Sequence, residues 1–289
     1  MGKATSFEKR KNRAGYVFLS PWLFATVFLL IYPVVFSFLM SFGNIKSLTS
    51  YNMTFAGFEN YKEAFVVDDS FLPMLLSTVS TMLIDTPMIL IFSLITAVIL
   101  NRSFKLRSFF RLVFFLPVLL GTGYIMSQLL GQNVQSGSME IARGMLLPAN
   151  VQQYLGSTLT RYITDFFNRI TLIMWNSGVQ IVLFLSGLQG ISPSLYEASR
   201  IDGASEWEIF WKITLPMTTP ILLLNAVYTV ISFAFEDNDL LNYIVSQGFE
   251  KNKFEYSSAM SWIYFSVVLI LLGVIFAVIS PFIKKMNNN

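Results

Sequence analysis

Along most of this chain apolar residues neither alternate nor form a single stripe. They come in long, nearly uncharged runs, at about 16–42, 72–100, 112–130, 170–190, 217–235 and 257–281. A helix rises about 1.5 Å per residue, so about 20 such residues cross the roughly 30 Å hydrocarbon layer of a bilayer. In that layer backbone polar groups must bond within their own segment, which runs of this length do as helices. The pattern predicts an all-α membrane protein with six transmembrane helices. Its membrane domain covers 16–283, after a segment of residues 1–15 and before a tail, 284–289. The basic start followed by an apolar run also suits a secretory signal, but Tyr16 to Phe42 is 27 residues, against about 7–15 for a signal core. It reads as a retained first span, kinked at Pro33.

Polar residues inside and between the runs refine this picture. Residues 43–70 form a loop carrying Glu59, Glu63, Asp68 and Asp69. Asp85 stands inside the second run, two residues before Pro87. An ionisable residue at membrane depth is a functional candidate by default. The plainer reading, which we favour, is that Asp85 caps the helical segment after it or bonds to a neighbouring helix. Residues 131–165 predict an outer loop with a short surface helix around Ile141 to Leu147.

Charge sets the orientation. An even number of spans puts both termini on one side. Thirteen of the twenty lysines and arginines fall on that side and seven opposite, with Arg169 counted among the latter. The positive-inside rule then makes both termini cytoplasmic, and with them the segment 192–216 between the fourth and fifth runs.

That segment, SPSLYEASRIDGASEWEIFWKITLP, holds four acidic residues, two basic ones and a central glycine. Ser194 with Glu197, and Ser205 with Glu208, have the spacing of capping boxes, and Pro193 suits a first helical turn. Gly203 suits the left-handed position that ends a helix. Trp207, Phe210 and Trp211 recur at helical spacing on one face. The segment therefore predicts a cytoplasmic helix-turn-helix loop with an aromatic face that docks on something.

Glu197-Ala198-Ser199, then Gly203, Ile213, Leu215 and Pro216 at the spacing EAA-x3-G-x9-I-x-LP, resemble the EAA loop of ABC-importer permease subunits. Ser199 is the one departure, standing where alanine is usual; serine is small enough for close helix packing to survive. The surrounding text resembles the maltose-type carbohydrate permeases, the inner-membrane components of binding-protein-dependent transport systems. The resemblance implies a prokaryotic, multi-pass cytoplasmic-membrane permease that hydrolyses nothing itself. The loop would fit a cleft on a cytoplasmic ATPase and couple it to transport. Implied partners are a second, homologous permease subunit, two ATPase subunits that hold ATP and Mg, an extracytoplasmic solute-binding protein and membrane lipid, with no nucleic acid.

Composition narrows the chemistry. Mean hydropathy is +0.58 and 54% of residues are hydrophobic, against a soluble chain, while a net charge of +3 beside membrane segments is no nucleic-acid footprint. No cysteine or histidine is present, which excludes disulfides, thiol nucleophiles and the usual zinc sites. No phosphate-binding G-x-x-x-x-G-K-[ST] loop occurs. We therefore expect no catalytic residue, no metal and no cofactor on this chain. Neutral polar residues within the spans are Trp175, Asn176, Gln180, Asn225, Tyr228 and Ser232. They suit a hydroxyl-rich solute, although such residues equally bond helix to helix. The reading is half of a translocation path for a carbohydrate, an oligosaccharide. A glycerol phosphate or polyol permease of the same family is the nearest alternative. A partner-free secondary carrier or membrane enzyme is the alternative of another class.

Overall fold

A computed structural model of the chain describes residues 17–45, 53–102, 149–236 and 238–287, with a few positions between 105 and 116. The described residues are mostly helical. In order they are α1 (Val17–Ser41), strands β1 (Gly43–Ile45) and β2 (Met53–Phe55), α2 (Glu59–Lys62), α3 (Phe71–Asn101), α4 (Ala149–Asn176) and α5 (Gly178–Gln189). Then come α6 (Pro193–Ile201), α7 (Glu206–Ile209), α8 (Leu215–Phe235), α9 (Asp239–Val245) and α10 (Phe254–Asn287). Among them α1, α3, α7 running into α8, and α10 are long and apolar enough to cross a membrane, and the bent pair α4–α5 makes a fifth. The run at 112–130 lies mostly outside the described residues, as do residues 1–16 and the surface helix expected around 141–147.

Prolines shape these helices in a consistent way. Within α1 the stretch Thr26–Ile31 is a wide π-type turn that ends with the Tyr32 amide on the Val27 carbonyl, and Pro33 follows. A proline has no N–H, and its ring presses on the carbonyl four residues earlier, so pairing five residues back takes up the mismatch. Phe210–Thr214 repeats the device: the Leu215 amide reaches the Phe210 carbonyl just ahead of Pro216. At Pro33 the first span thus carries a wide turn within one helix, Val17–Ser41.

The chain divides into two compact units. One draws on the chain up to Thr78 and on Asp237–Leu269. In it β1 and β2 pair antiparallel, with Asn44 opposite Thr54, and buried Asn60 ties the strand entry down by donating to the Ser41 and Gly43 carbonyls. Asp68 starts α3. One carboxylate oxygen accepts the Ser70 and Phe71 amides, and the other accepts the hydroxyls of Tyr243 on α9 and Tyr256 on α10 at 2.7 and 2.6 Å. A charged acceptor with four donors is the strong form of a hydrogen-bond hub.

The second unit draws on Val79–Glu236 and the chain from Ile270. Its core joins Leu94, Ala97 and Leu100 of α3 to Ile181, Phe184, Leu185 and Leu188 of α5. Helix α8 lies close on α5: a Cβ on Gly187 would meet Ile221 Cγ1 at 2.6 Å.

The structure departs from the sequence expectation at the fourth run. Helix begins at Ala149, inside the expected outer loop, is interrupted at Gly156 (φ +75°, ψ 159°), and breaks again at Ser177, where Thr158–Asn176 and Gly178–Gln189 bend by 53°. The turns between Gly156 and Ile170 carry Arg161, Asp165 and Arg169, which keep the local hydropathy low and hide the helix from an apolar-run search.

Candidate functional site

The segment 192–216 folds as two short helices about a tight turn, all within the second unit. Helix α6 starts differently from expectation. Ser192, in extended backbone, is the cap residue and Pro193 takes the first helical position, so Ser194 is already inside the helix. The Ser194 hydroxyl pairs with that of Ser192 at 2.7 Å, and neither caps an amide. The capping box between Ser194 and Glu197 is therefore absent. Proline moved the start two residues earlier, because its fixed φ and missing N–H fit that position.

The end of α6 forms as its residues dictate. Gly203 has φ +80°, its amide reaches the Arg200 carbonyl, and the Ala204 amide reaches the Ser199 carbonyl at 2.9 Å. These two bonds make a Schellman turn, which satisfies carbonyls that the helix end leaves open. Two residues on, the Ser205 hydroxyl accepts the Glu208 amide while Glu208 Oε2 accepts the Ser205 amide at 3.0 Å, a complete capping box. The Ser205 amide and hydroxyl, with Lys212 beside them, hold the Glu208 carboxyl below its usual value.

One side of this helix pair is fastened and the other is open. Tyr196, Phe210 and Leu215 pack against the α3–α5 core. The Tyr196 hydroxyl meets Thr214 Oγ1 at 3.3 Å. Glu206 accepts from Arg200 of α6 and from Arg102 at the end of α3, at 3.1 and 3.2 Å. All three side chains are more than half exposed, so the pairs orient more than they stabilise. Between α3, α5, α6 and α7 lies a cavity of about 600 Å³ bordered by Asn101, Arg102, Gln189, Glu197 and Arg200. On the open side Ile201 is 86% exposed and Trp207 69%, with Trp211 edge-on to Trp207 at 5.5 Å. Glu197 and Ala198 are exposed; Ser199 is half-buried and turns its hydroxyl onto the Leu195 carbonyl of its own helix. Ile213, Leu215 and Pro216 are half-buried.

The polar residues of the spans divide into two groups. Gln180 and Asn225 are buried where α5 meets α8: Gln180 Nε2 donates to Thr229 Oγ1 at 2.9 Å, and Asn225 Nδ2 donates to the Gln180 carbonyl at 3.3 Å. Their amide oxygens have no partner among the described residues. These two side chains bond helix to helix. Trp175, Tyr228 and Ser232 are exposed and Asn176 is half-buried. Asn176 and Gln180, four residues apart, stand on either side of the break at Ser177 and so share no helical face.

A family model for binding-protein-dependent transport system inner membrane components matches residues 64–287. The chain belongs to this family. A relative, the probable ABC transporter permease protein YesP of Bacillus subtilis (strain 168), is 30% identical over 95% of this chain and 91% of its own. The arabinooligosaccharides transport system permease protein AraP of the same organism is 26% identical over 90% and 87%. The multiple sugar-binding transport system permease protein MsmF of Streptococcus mutans serotype c is 29% identical over 86% and 90%. Among solved structures, a chain of a bacterial alginate ABC transporter, in complex with an alginate pentasaccharide-bound periplasmic protein, superposes with a TM-score of 0.67. It is 16% identical, and the match covers 96% of this chain and 97% of that one. Protein of this family is a transport permease rather than an enzyme, and its several apolar helices make it a multi-pass membrane protein.

Three features of this permease escaped the sequence reading. Asp68 is one of several loop acids in the text, and only the fold brings Tyr243 and Tyr256 to it. Glu206 has no special spacing to Arg102. Arg169, counted as a loop residue, lies within α4 and forms an ion pair with Asp85, its Nε and Nη2 donating to Oδ1 at 2.8 and 2.6 Å. Here a signal did exist: a carboxylate in an apolar run calls for a cation, and Arg169 is at the edge of the next described run.

Proposed function

We propose that this chain is the transmembrane permease subunit of an ABC importer and forms half of the translocation path for a carbohydrate, an oligosaccharide. An extracytoplasmic binding protein delivers the solute. A second homologous permease supplies the other half of the path, and two cytoplasmic ATPase subunits carry ATP and Mg, with none bound by this chain. Six spans cross the cytoplasmic membrane of a prokaryote, both termini are cytoplasmic, and residues 1–15 and 284–289 lie outside the membrane domain 16–283. The sugar-transport names of AraP and MsmF support the solute class.

The observation that carries this reading is the two-sided loop 192–216. Its inner face is packed under α3 and α5, while its outer face presents Ile201, Trp207 and Trp211. Exposed apolar residues on a polar loop mark a contact surface. A fastened inner face lets a push on the outer one pass as a rigid motion into α5 and α8. Glu197, Ala198, Ser199 and Gly203 form the first docked helix and its turn, and Ile213, Leu215 and Pro216 join the second to α8. Trp175, Asn176, Tyr228 and Ser232 are path candidates, with Gln180 and Asn225 behind them.

The test is reconstitution in vesicles with a partner permease, ATPase and binding protein of the same transport family. ATP hydrolysis is measured with arabinotriose, raffinose, lactose, maltotriose and an alginate trisaccharide. Stimulation by at least one sugar, only with its binding protein present, is the expected result. Uptake without nucleotide overturns the reading.

A further inference from the structure

The ion pair between Asp85 and Arg169 stands apart from every other charge in the described spans. Asp85 lies sixteen residues before Asn101, where α3 ends. At about 1.5 Å per residue that is about 24 Å along a helix whose hydrocarbon layer is about 30 Å thick, so the pair sits in the outer part of that layer. The Asp85 side chain is 5% exposed and that of Arg169 42%. Both donated bonds go to a single oxygen of Asp85. The guanidinium has five N–H groups, and the remaining three make no hydrogen bond among the described residues.

A charged side chain at this depth faces the bundle interior or water rather than acyl chains. The face of α4 that bears Arg169 carries polar residues on both sides of it, with Phe166, Leu172 and Ile173 among them. Tyr162 lies seven residues before it, Asp165 four before and Asn176 seven after, spacings that share one helix face. Tyr162 and Asp165 are exposed, and Asn176 is already a path candidate. Asp85 neutralises the arginine, so the pair itself offers hydrogen-bond donors without net charge, with the exposed carboxylate of Asp165 one turn away. Such a group suits the oxygen atoms of a neutral polyhydroxylated molecule, whereas an anionic sugar would also meet Asp85 behind the guanidinium.

We propose that Arg169 lines the outer part of the translocation path and donates hydrogen bonds to solute hydroxyl and ring oxygens, with Asp85 as the positioning residue that holds its plane. The inference rests on the importer reading and deepens it.

The native chain has no cysteine, so Arg169→Cys gives a single reporter on this chain, read on the permease after the subunits of the reconstituted complex are separated. Labelling uses two membrane-impermeant methanethiosulfonates, one cationic and one anionic. With Asp85 retained, the cationic reagent is expected to react about tenfold faster. Adding Asp85→Asn brings the two rates within about threefold and shows that any loss in the single variant does not come from an abandoned carboxylate. Binding protein loaded with whichever neutral oligosaccharide of the panel stimulates ATP hydrolysis is expected to slow labelling at least fivefold. No labelling, or labelling that the stimulating sugar leaves unchanged, overturns the proposal. Protection by the alginate trisaccharide alone overturns the preference for a neutral solute. If the unmodified assembly is stimulated by no sugar, the importer reading fails and the solute contact goes with it; labelling or protection that fails in a stimulated assembly removes the contact alone.

Discussion

At the scale of single residues, two positions concentrate physical cost. Gly203 holds φ +80°, and a Cβ built there meets open space, so any penalty is purely conformational. A left-handed backbone costs a residue with a side chain about 1–2 kcal/mol, less for asparagine. Gly203→Val is therefore expected to lower stability by about 2 kcal/mol or more and to weaken ATPase assembly, while Gly203→Asn retains most of both. Thermal unfolding in detergent and co-purification of the ATPase measure the two effects. Asp68 is the other position. Burial alone would raise its carboxyl, but the hydroxyls of Tyr256 and Tyr243 and the amides of Ser70 and Phe71 outweigh that and hold it below its ordinary 3.8. Burial and the facing carboxylate push Tyr243 up to about 12. A lowered carboxyl stabilises fully above its unfolded value and loses that contribution as pH falls through the folded one. Acid melting below about pH 4 should thus be shallower in Asp68→Asn, which at neutral pH should lose about 1–3 kcal/mol. An acid limb equal to wild type would count against the hub.

Helices and turns show what could be read from the text and what could not. Local signals sufficed wherever the cause was local: long apolar runs mark α3, α8 and α10, and Ser205 with Glu208, or Gly203, fix a start and a stop within five residues. The signal misled where two local rules compete, as at Ser194, where Pro193 claims the helix start. It was silent where the partner is distant. The helical turns before Ile170 look like loop because Asp165 and Arg169 lower their hydropathy, and the compensation, Asp85, is 84 residues away. Gly187 is a similar case. Nothing in its neighbourhood shows that Ile221 will press on it at 2.6 Å. Gly187→Ala overfills that contact and is expected to cost about 1–3 kcal/mol. Ile221→Ala in the same chain makes room and should recover at least about 1 kcal/mol relative to the sum of the single changes. A melting-temperature cycle over the four proteins measures the coupling; simple additivity would show that α5 and α8 do not meet there.

For the whole molecule, the decisive asymmetry is between a loop face that is already satisfied and one that is not. A multi-pass protein exposes much apolar surface to lipid without consequence, and the first helix, α1, has none of its most apolar window buried. Ile201, Trp207 and Trp211 differ because they stand on helices rich in carboxylates, with Glu197, Asp202, Glu206 and Glu208 around them. That composition suits water and a protein partner better than a bilayer interface, where Lys and Arg dominate the polar face. Replacing Ile201 and Trp207 with glutamate removes the edge contact of Trp207 with Trp211 but nothing packed on the α3–α5 core, so the melting temperature of the isolated permease should shift by no more than a few degrees. If the open face docks the ATPase, the same change should weaken that complex at least tenfold, since buried aromatic anchors carry about 2 kcal/mol or more each. Phe210→Ala is the control from the fastened side: it empties a site against the α3–α5 core and should lower stability by about 3 kcal/mol or more. Co-purification and melting curves on the same samples separate these cases. Docking loss without destabilisation in the glutamate variant, set against destabilisation in Phe210→Ala, is the signature of a lever with one anchored and one presented face. A glutamate variant that melts early yet still binds its ATPase would reverse the two faces and refute the assignment.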